Sequence, residues 1–135
     1  MVAYLTRRAT FSAAHRLHNP ELSDDENRAI YGKCNNPWGH GHDYALEVTV
    51  RDDIDPRTDM VMNLADLKEI MNQRIVDLID HKHLNHDVAW LRGVNPTVEN
   101  LAVVFWKRLY EVFPDQLYEV KLYETANNWA IYRGE

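Results

Sequence analysis

The feature that most constrains the fold is a pair of long segments in which apolar and polar residues alternate. In the first, residues 2–17, the odd positions form the more apolar face, with Arg7 as the exception. In the second, residues 40–51, the even positions carry the apolar side chains. Because successive side chains of a β-strand point to opposite faces, this period of two predicts two long strands, each buried on one face.

Between and after these segments the chain shows helical patterns. Ser23-Asp24-Asp25-Glu26 fits a capping box and predicts a short helix. Asn63 can cap a longer helix that runs to about Asp80, and Asn95-Pro96-Thr97 opens another. The segment DHKHLNHD between them is predicted to be a loop. The last helix is predicted to bury a stripe formed by Leu101, Val104, Phe105, Leu109 and Val112.

The tail is predicted to form two strands joined by a turn at residues 126–128. The order strand, strand, helix, helix, strand, strand indicates an α+β fold, a four-stranded antiparallel sheet with two helices packed on one face. We expect residues 1–135 to form a single domain. The chain has no further layer for the other face of the sheet, so we also expect a homo-oligomer.

Composition and charge argue against several function classes. The net charge of −6 argues against non-specific nucleic-acid binding. No segment approaches the roughly 18 apolar residues of a membrane span, and the first residues do not show a signal-peptide pattern. One cysteine excludes a disulfide within the chain. We therefore expect a cytoplasmic protein that binds neither nucleic acid nor membrane.

Three histidines stand where a metal ion could bind. In the stretch GKCNNPWGHGHDY, His40 and His42 share one strand face, roughly 6.5 to 7 Å apart along the chain. His15 lies on the apolar face of the preceding strand, which can pair antiparallel with this one. Three neutral imidazoles with an open fourth position are typical of catalytic zinc. A buried core histidine is the alternative for His15, and the competing candidates are His18, His83 and His86.

The only cysteine, Cys34, lies six residues before His40 in a predicted loop. A loop thiol near a cation can lose its proton and act as a base or nucleophile, although an incidental cysteine fits the pattern equally well. Asp80 and His81 follow the first long helix. The carboxylate could orient the imidazole, but a histidine interacting with the helix dipole is the simpler interpretation of two adjacent residues.

Glu124 lies on an apolar strand face with Tyr118, Val120 and Leu122. A carboxylate in such a place is costly unless it is paired. Its partner could be a basic side chain of the tail, or a ligand that donates two hydrogen bonds. The basic candidates in the tail are Lys121 and Arg133.

Seven segments, in order and over nearly the whole chain, resemble the 6-pyruvoyl-tetrahydropterin synthase family. They are FSAAHRL, LSDDEN, GKCNNPWGHGHDY, MVMNLADLK, IDHKHLN, PTVENLA and LYETANN. The Cys-x5-His-Gly-His spacing is similar to that of the pyruvoyl-forming branch, whereas the carboxy-forming branch typically has a shorter spacing. Two positions depart from the commonest family pattern, Trp38 and Asp43, and strand parity points Asp43 away from the histidines.

The resemblance implies the tunnelling fold, in which three subunits close their sheets into one barrel and two such trimers can stack. A trimer or a dimer of trimers would cover the open face of the sheet. The active sites would then lie at subunit interfaces.

The resemblance also implies roles for individual residues. The zinc ligands would be His15, His40 and His42. Cys34 would be the catalytic base, with Asp80 and His81 reaching the same site from a neighbouring subunit. Glu124 would anchor the pterin through its ring N–H and amino group, and Thr97 would lie near that pocket.

The implied reaction converts 7,8-dihydroneopterin triphosphate to 6-pyruvoyl-tetrahydropterin and triphosphate, a step of tetrahydrobiopterin biosynthesis. It consists of zinc-assisted proton transfers and loss of triphosphate, for which Mg²⁺ is a possible counter-ion. Two alternatives use the same substrate: the carboxy-forming reaction and cleavage of the side chain. An alternative of another class is a non-catalytic zinc-binding assembly module.

Overall fold

The computed structural model describes residues 1–135, and two long paired strands organise it. β1 (Val2–His15) and β2 (His40–Asp53) run antiparallel, with Val2 opposite Asp53 and His15 opposite His40. The two predicted strands are therefore confirmed. β1 ends two residues earlier than expected, because the Leu17 N–H donates to the Cys34 carbonyl (2.8 Å) in a loop contact.

Three further strands complete the sheet, whose order is β3-β1-β2-β4-β5. β4 (Leu117–Thr125) pairs with β2, and β5 (Asn128–Tyr132) pairs with β4, both antiparallel. The turn predicted between them is confirmed. The strands β2, β4 and β5 thus extend the sheet on one side of β1.

The α+β class is confirmed, but the sheet has five strands instead of the predicted four. β3 (Lys82–His83) lies in the segment predicted to be a loop and pairs parallel with the end of β1. Two residues are too few to show an alternating pattern. What holds β3 is backbone pairing, such as the Leu84 N–H donating to the Ala14 carbonyl (2.8 Å).

The helices begin where their capping residues predict. α1 (Asp24–Tyr31) has a complete capping box between Ser23 and Glu26. α2 (Leu64–Met71) follows Asn63, whose side chain accepts from the Ala65 N–H (2.9 Å).

Two details of the helices differ from the prediction. The first long helix is interrupted by a π-helical turn, Asn72–Val76, before it ends in α3 (Asp77–Ile79). α4 (Val98–Tyr110) ends before Val112, which is 44% exposed, so the expectation that Val112 is buried was wrong.

The helices α2 and α4 cover one face of the sheet, where the core lies. The side chains of β2, β4, α2 and α4 that have no exposed surface are Leu46, Val48, Val50, Leu67, Met71, Leu101, Phe105, Leu109, Val120 and Leu122. On the other face, the even positions of β1 from Val2 to Thr10 are exposed. None of the helices combines the length and the apolar character that crossing a membrane requires.

Candidate metal centre and active site

The paired ends of β1 and β2 bring three imidazoles together. His15 and His40 are direct partners across the ladder, and His42 pairs with Ala13 on the same face. The ring centroids are 5.2 Å apart for His15 and His40, 5.0 Å for His15 and His42, and 4.7 Å for His40 and His42. The Nε2 atoms of His40 and His42 lie 3.2 Å apart. The geometry is that of side chains converging on one small space.

His15 is the most enclosed of these rings and has no exposed surface. Its Nδ1 lies 2.9 Å from the Pro96 carbonyl oxygen, whereas its Nε2 is buried without any hydrogen-bond partner. Burial lowers the pKa of His15 to about 4, so the ring is neutral near pH 7. A buried nitrogen that lacks a partner, in a neutral ring packed against two other imidazoles, is well suited to bind a metal ion.

Cys34 and Glu124 approach the same ring. The ligand atoms of His15, Cys34 and His40 all lie within 4.8 Å of one another, as do those of His15, His42 and Glu124. This set of imidazole, thiol and carboxylate donors can hold a metal ion. The residues present therefore fit a metal cofactor, and His15 belongs to both donor groups.

Cys34 is partly buried in a 3₁₀ turn (Gly32–Asn35), and its carbonyl accepts from the Leu17 N–H. Burial, and the nearby Glu124 carboxylate, raise the pKa of the Cys34 thiol. The chain by itself therefore keeps this sulfur protonated, and a positive charge beside the sulfur would favour the thiolate.

Glu124 has no lysine or arginine partner. Arg133 instead pairs with Glu119 (2.7 Å), and the Lys121 amino group lies over the Tyr123 and Trp129 rings. The basic side chain that approaches Glu124 is the His42 imidazole, with 3.8 Å between Nε2 and Oε1, and burial lowers the pKa of that ring. Of the two alternatives for Glu124, the basic partner in the tail is therefore not formed, and the carboxylate is available to a ligand.

Asp80 and His81 bond each other, contrary to the expectation for adjacent residues. Their Oδ1 and Nδ1 atoms lie 3.0 Å apart, and His81 adopts a positive φ of 60°. Asp80 Oδ1 also accepts from the Ser12 N–H (2.9 Å), which is the main reason that the pKa of Asp80 is lowered. The His81 side chain is 81% exposed and makes no hydrogen bond or ion pair to Cys34 or the three histidines.

The remaining candidates lie outside the donor cluster. Thr97 caps α4, where its hydroxyl accepts from the Asn100 N–H (3.1 Å). Asp43 accepts from the Ser12 hydroxyl (2.6 Å), on the sheet face away from the histidines, as strand parity predicts. The rings of His83 and His86 pack on each other at 4.4 Å, and the His18 ring contacts Asn35.

The sequence did not reveal two groups that contact His15. The Pro96 carbonyl is a backbone atom, so no side-chain pattern could have identified it. The Tyr44 hydroxyl lies 3.3 Å from His15 Nδ1. Strand parity could have found it, since Tyr44 follows His42 by two residues on the same face.

Comparison with known proteins agrees with this architecture. The sequence model of the family described as 6-pyruvoyl tetrahydropterin synthase matches residues 4–135. The 6-pyruvoyl tetrahydrobiopterin synthase of Homo sapiens is 53% identical over 134 residues, covering 98% of this chain and 92% of that protein. The protein of the same name from Poecilia reticulata is 52% identical, covering 99% and 92%.

A solved structure agrees as well. The 6-pyruvoyl tetrahydropterin synthase of Caenorhabditis elegans superposes with a TM-score of 0.95 at 40% identity, covering 100% of this chain and 97% of that one. The match to the family's sequence model and these relatives extend over essentially the whole chain. This chain belongs to the 6-pyruvoyl tetrahydropterin synthase family.

Proposed function

We propose that zinc held by His15, His40 and His42 supports the activity that family membership gives this chain. That activity is a 6-pyruvoyl tetrahydropterin synthase activity, a lyase reaction that eliminates triphosphate in tetrahydrobiopterin biosynthesis. The substrate is 7,8-dihydroneopterin triphosphate, and the products are 6-pyruvoyl-tetrahydropterin and triphosphate. The observation that carries the proposal is the convergence of three imidazoles, a thiol and a carboxylate at His15, whose buried Nε2 has no hydrogen-bond partner.

The histidines suit zinc because they are nitrogen donors on two rigid, paired strands. Zinc, when bound, supplies a Lewis acid beside the substrate's side-chain oxygens and a positive charge that favours the Cys34 thiolate. We propose that no fourth protein ligand closes the site, so that a position remains for the substrate.

Cys34 is the proposed base. Its Sγ takes a proton from a side-chain carbon of the substrate, and returning protons to the reduced ring needs a second group. The reaction needs no external redox agent, because the pyrazine ring is reduced as the side chain is oxidised. The position of the sulfur within 4.8 Å of the His15 and His40 nitrogens supports this role.

Glu124 is the proposed pterin anchor. A carboxylate can accept one hydrogen bond from the ring N–H and one from the exocyclic amino group, which fixes the ring so that the side chain reaches Cys34. The absence of a lysine or arginine partner for Glu124 supports this role. Thr97, adjacent to Pro96 at the start of α4, is proposed to lie near the bound pterin.

Asp80 and His81 are proposed to act in the active site of a neighbouring subunit. Asp80 holds the His81 Nδ1, which leaves the exposed Nε2 free to exchange a proton with a substrate. An assembly of three subunits, or two such trimers, would bring this imidazole to the partner's cluster and would cover the exposed face of β1. We also propose that residues 1–135 act as one domain in the cytoplasm, and that Mg²⁺ can accompany the triphosphate.

The test is mass spectrometry of the product after incubation of the purified chain with 7,8-dihydroneopterin triphosphate. We expect 6-pyruvoyl-tetrahydropterin together with free triphosphate. A 6-carboxy product or a pterin aldehyde would assign the chain to another reaction on the same substrate. No turnover by zinc-loaded protein would favour a non-catalytic assembly module.

A further inference from the structure

The orientation of the His15 ring decides whether a metal site can form. This ring belongs to both candidate donor groups, and it is the only one of the three imidazoles with no exposed surface. A half-turn of an imidazole about its Cβ–Cγ bond replaces each nitrogen by a carbon. His15 therefore contributes a donor only if its surroundings hold the ring in one of its two orientations.

The Pro96 carbonyl sets the protonation of this ring. Its oxygen lies 2.9 Å from His15 Nδ1 and can only accept a hydrogen bond. Nδ1 must therefore carry the proton of the neutral ring. The lone pair is then left on Nε2, which is the buried atom without a partner.

The Tyr44 hydroxyl oxygen lies 3.3 Å from the same nitrogen. Since the Nδ1–H donates, the phenol oxygen is its second acceptor. The Tyr44 ring is 1% exposed, stacks on Phe11 (4.8 Å between centroids, 8° between planes) and contacts the His42 ring edge-on at 5.7 Å. The hydroxyl is thus held on a rigid support.

We propose that Tyr44 is a positioning residue, which together with the Pro96 carbonyl holds His15 with Nε2 facing the donor cluster. Two acceptors around one N–H oppose the half-turn of the ring better than one acceptor does, and they make Nε2 a stronger donor. The effect on metal binding rests on the proposed function, because it assumes that His15 is a zinc ligand. The effect of Tyr44 on the orientation of the His15 ring does not depend on the proposed function.

The main experiment compares zinc affinity in wild-type protein and the Tyr44→Phe variant by competition with a chromogenic chelator. The substitution keeps the aromatic stack on Phe11 and removes only the hydroxyl. We expect the zinc dissociation constant to rise about tenfold or more, with an unchanged melting temperature of the metal-free protein. Unchanged zinc affinity would overturn the proposal.

A matched control is Tyr132→Phe, which removes a hydroxyl that donates to the Glu135 carbonyl (2.9 Å), in a residue outside the donor cluster. It should leave zinc affinity unchanged. Equal losses of affinity in the two variants would overturn the specific role of Tyr44.

The third measurement needs no metal, and its first part, the tautomer of His15 in the wild-type protein, needs no variant. Nitrogen-15 NMR of the metal-free wild-type protein should show His15 as the Nδ1–H tautomer with a slowly exchanging proton, and that resonance should shift in Tyr44→Phe. An Nε2–H tautomer would overturn the proposal even if the variant failed to fold. A wild-type chain that shows the Nδ1–H tautomer but binds no zinc would refute the proposed zinc site and leave the orientation of His15 intact.

Discussion

At the scale of single residues, the site contains three kinds of group: the imidazoles, the Cys34 thiol and the Glu124 carboxylate. Their roles can be separated by substituting each in turn. The imidazoles are nitrogen donors on paired strands, whereas Cys34 lies in a turn and Glu124 at the end of β4. In the proposed mechanism, metal binding, proton transfer and substrate binding therefore depend on different elements. Substitutions should affect them one at a time.

Cys34→Ala should keep zinc and pterin binding and lower turnover by about 10²- to 10⁴-fold, the usual contribution of a general base. The measurement is the steady-state rate, with zinc content by elemental analysis. Cys34→Ser is the control for the volume of the side chain, and it should also be nearly inactive because a serine hydroxyl is a far weaker acid. Wild-type activity in the alanine variant would remove Cys34 from the mechanism.

Glu124→Gln should raise the substrate dissociation constant by at least about tenfold, since hydrogen bonds to a charged group contribute roughly 1.5–3 kcal/mol. Calorimetric titration of the Cys34→Ala background with substrate would measure binding without turnover. Glu119→Gln is the matched control on the same strand, because Glu119 pairs with Arg133. An unchanged constant in Glu124→Gln would contradict the anchor role.

The residue types of the site and the meeting of its three imidazoles could be predicted from the sequence, but the other contacts could not. The pattern His-Gly-His on one strand face, with His15 on the facing strand, was enough to predict that the three rings meet. The Pro96 carbonyl that contacts His15 belongs to a loop far away in the sequence. Glu124 lacks an arginine partner because Arg133 forms its ion pair with Glu119. Which of several possible groups form a contact is determined by tertiary packing.

At the scale of elements, the start of α4 connects stability with the site. Thr97 caps the helix, and the carbonyl of the preceding Pro96 holds His15. Thr97→Ala should lower the free energy of unfolding by about 1 kcal/mol, the typical effect of losing a cap. Urea unfolding of the metal-free protein measures it.

Thr97→Ser restores the hydroxyl and should recover the lost stability. Because Thr97 is also proposed to lie near the pterin, the KM of the Thr97→Ala variant should change as well. Equal stability of the wild-type and alanine proteins would contradict the capping role.

Elements with many repeats of their pattern could be predicted, and short or irregular ones could not. β1 and β2 are 14 residues long each and alternate over most of that length, and three helices follow recognisable caps. β3 has two residues, and the π-helical turn Asn72–Val76 keeps the helical spacing of its apolar residues. Neither leaves a periodic signal of its own.

At the scale of the whole molecule, the sheet has one face without cover. The even side chains of β1 from Val2 to Thr10 are exposed, and His81, which is 81% exposed, makes no hydrogen bond or ion pair to the donor cluster of its own chain. Both facts are explained if neighbouring copies cover that face and exchange residues between sites. The family resemblance, and not the amino-acid pattern, is what predicts trimers.

Light scattering coupled to size exclusion should therefore give a mass corresponding to three or six copies of the 15.9 kDa chain. Mixing His81→Ala protein with Cys34→Ala protein, after dissociation and reassembly, should restore part of the activity, because some interfaces then contain both intact residues. A monomeric, fully active chain would contradict the shared site.

The most direct test of the account is an anomalous difference map from a crystal of the protein, recorded at the zinc absorption edge. We predict one peak about 2.0–2.1 Å from a ring nitrogen of each of His15, His40 and His42, with no fourth ligand from the protein. The absence of a peak between these rings, or a peak that Cys34 or Glu124 closes as a fourth ligand, would contradict an open catalytic metal site.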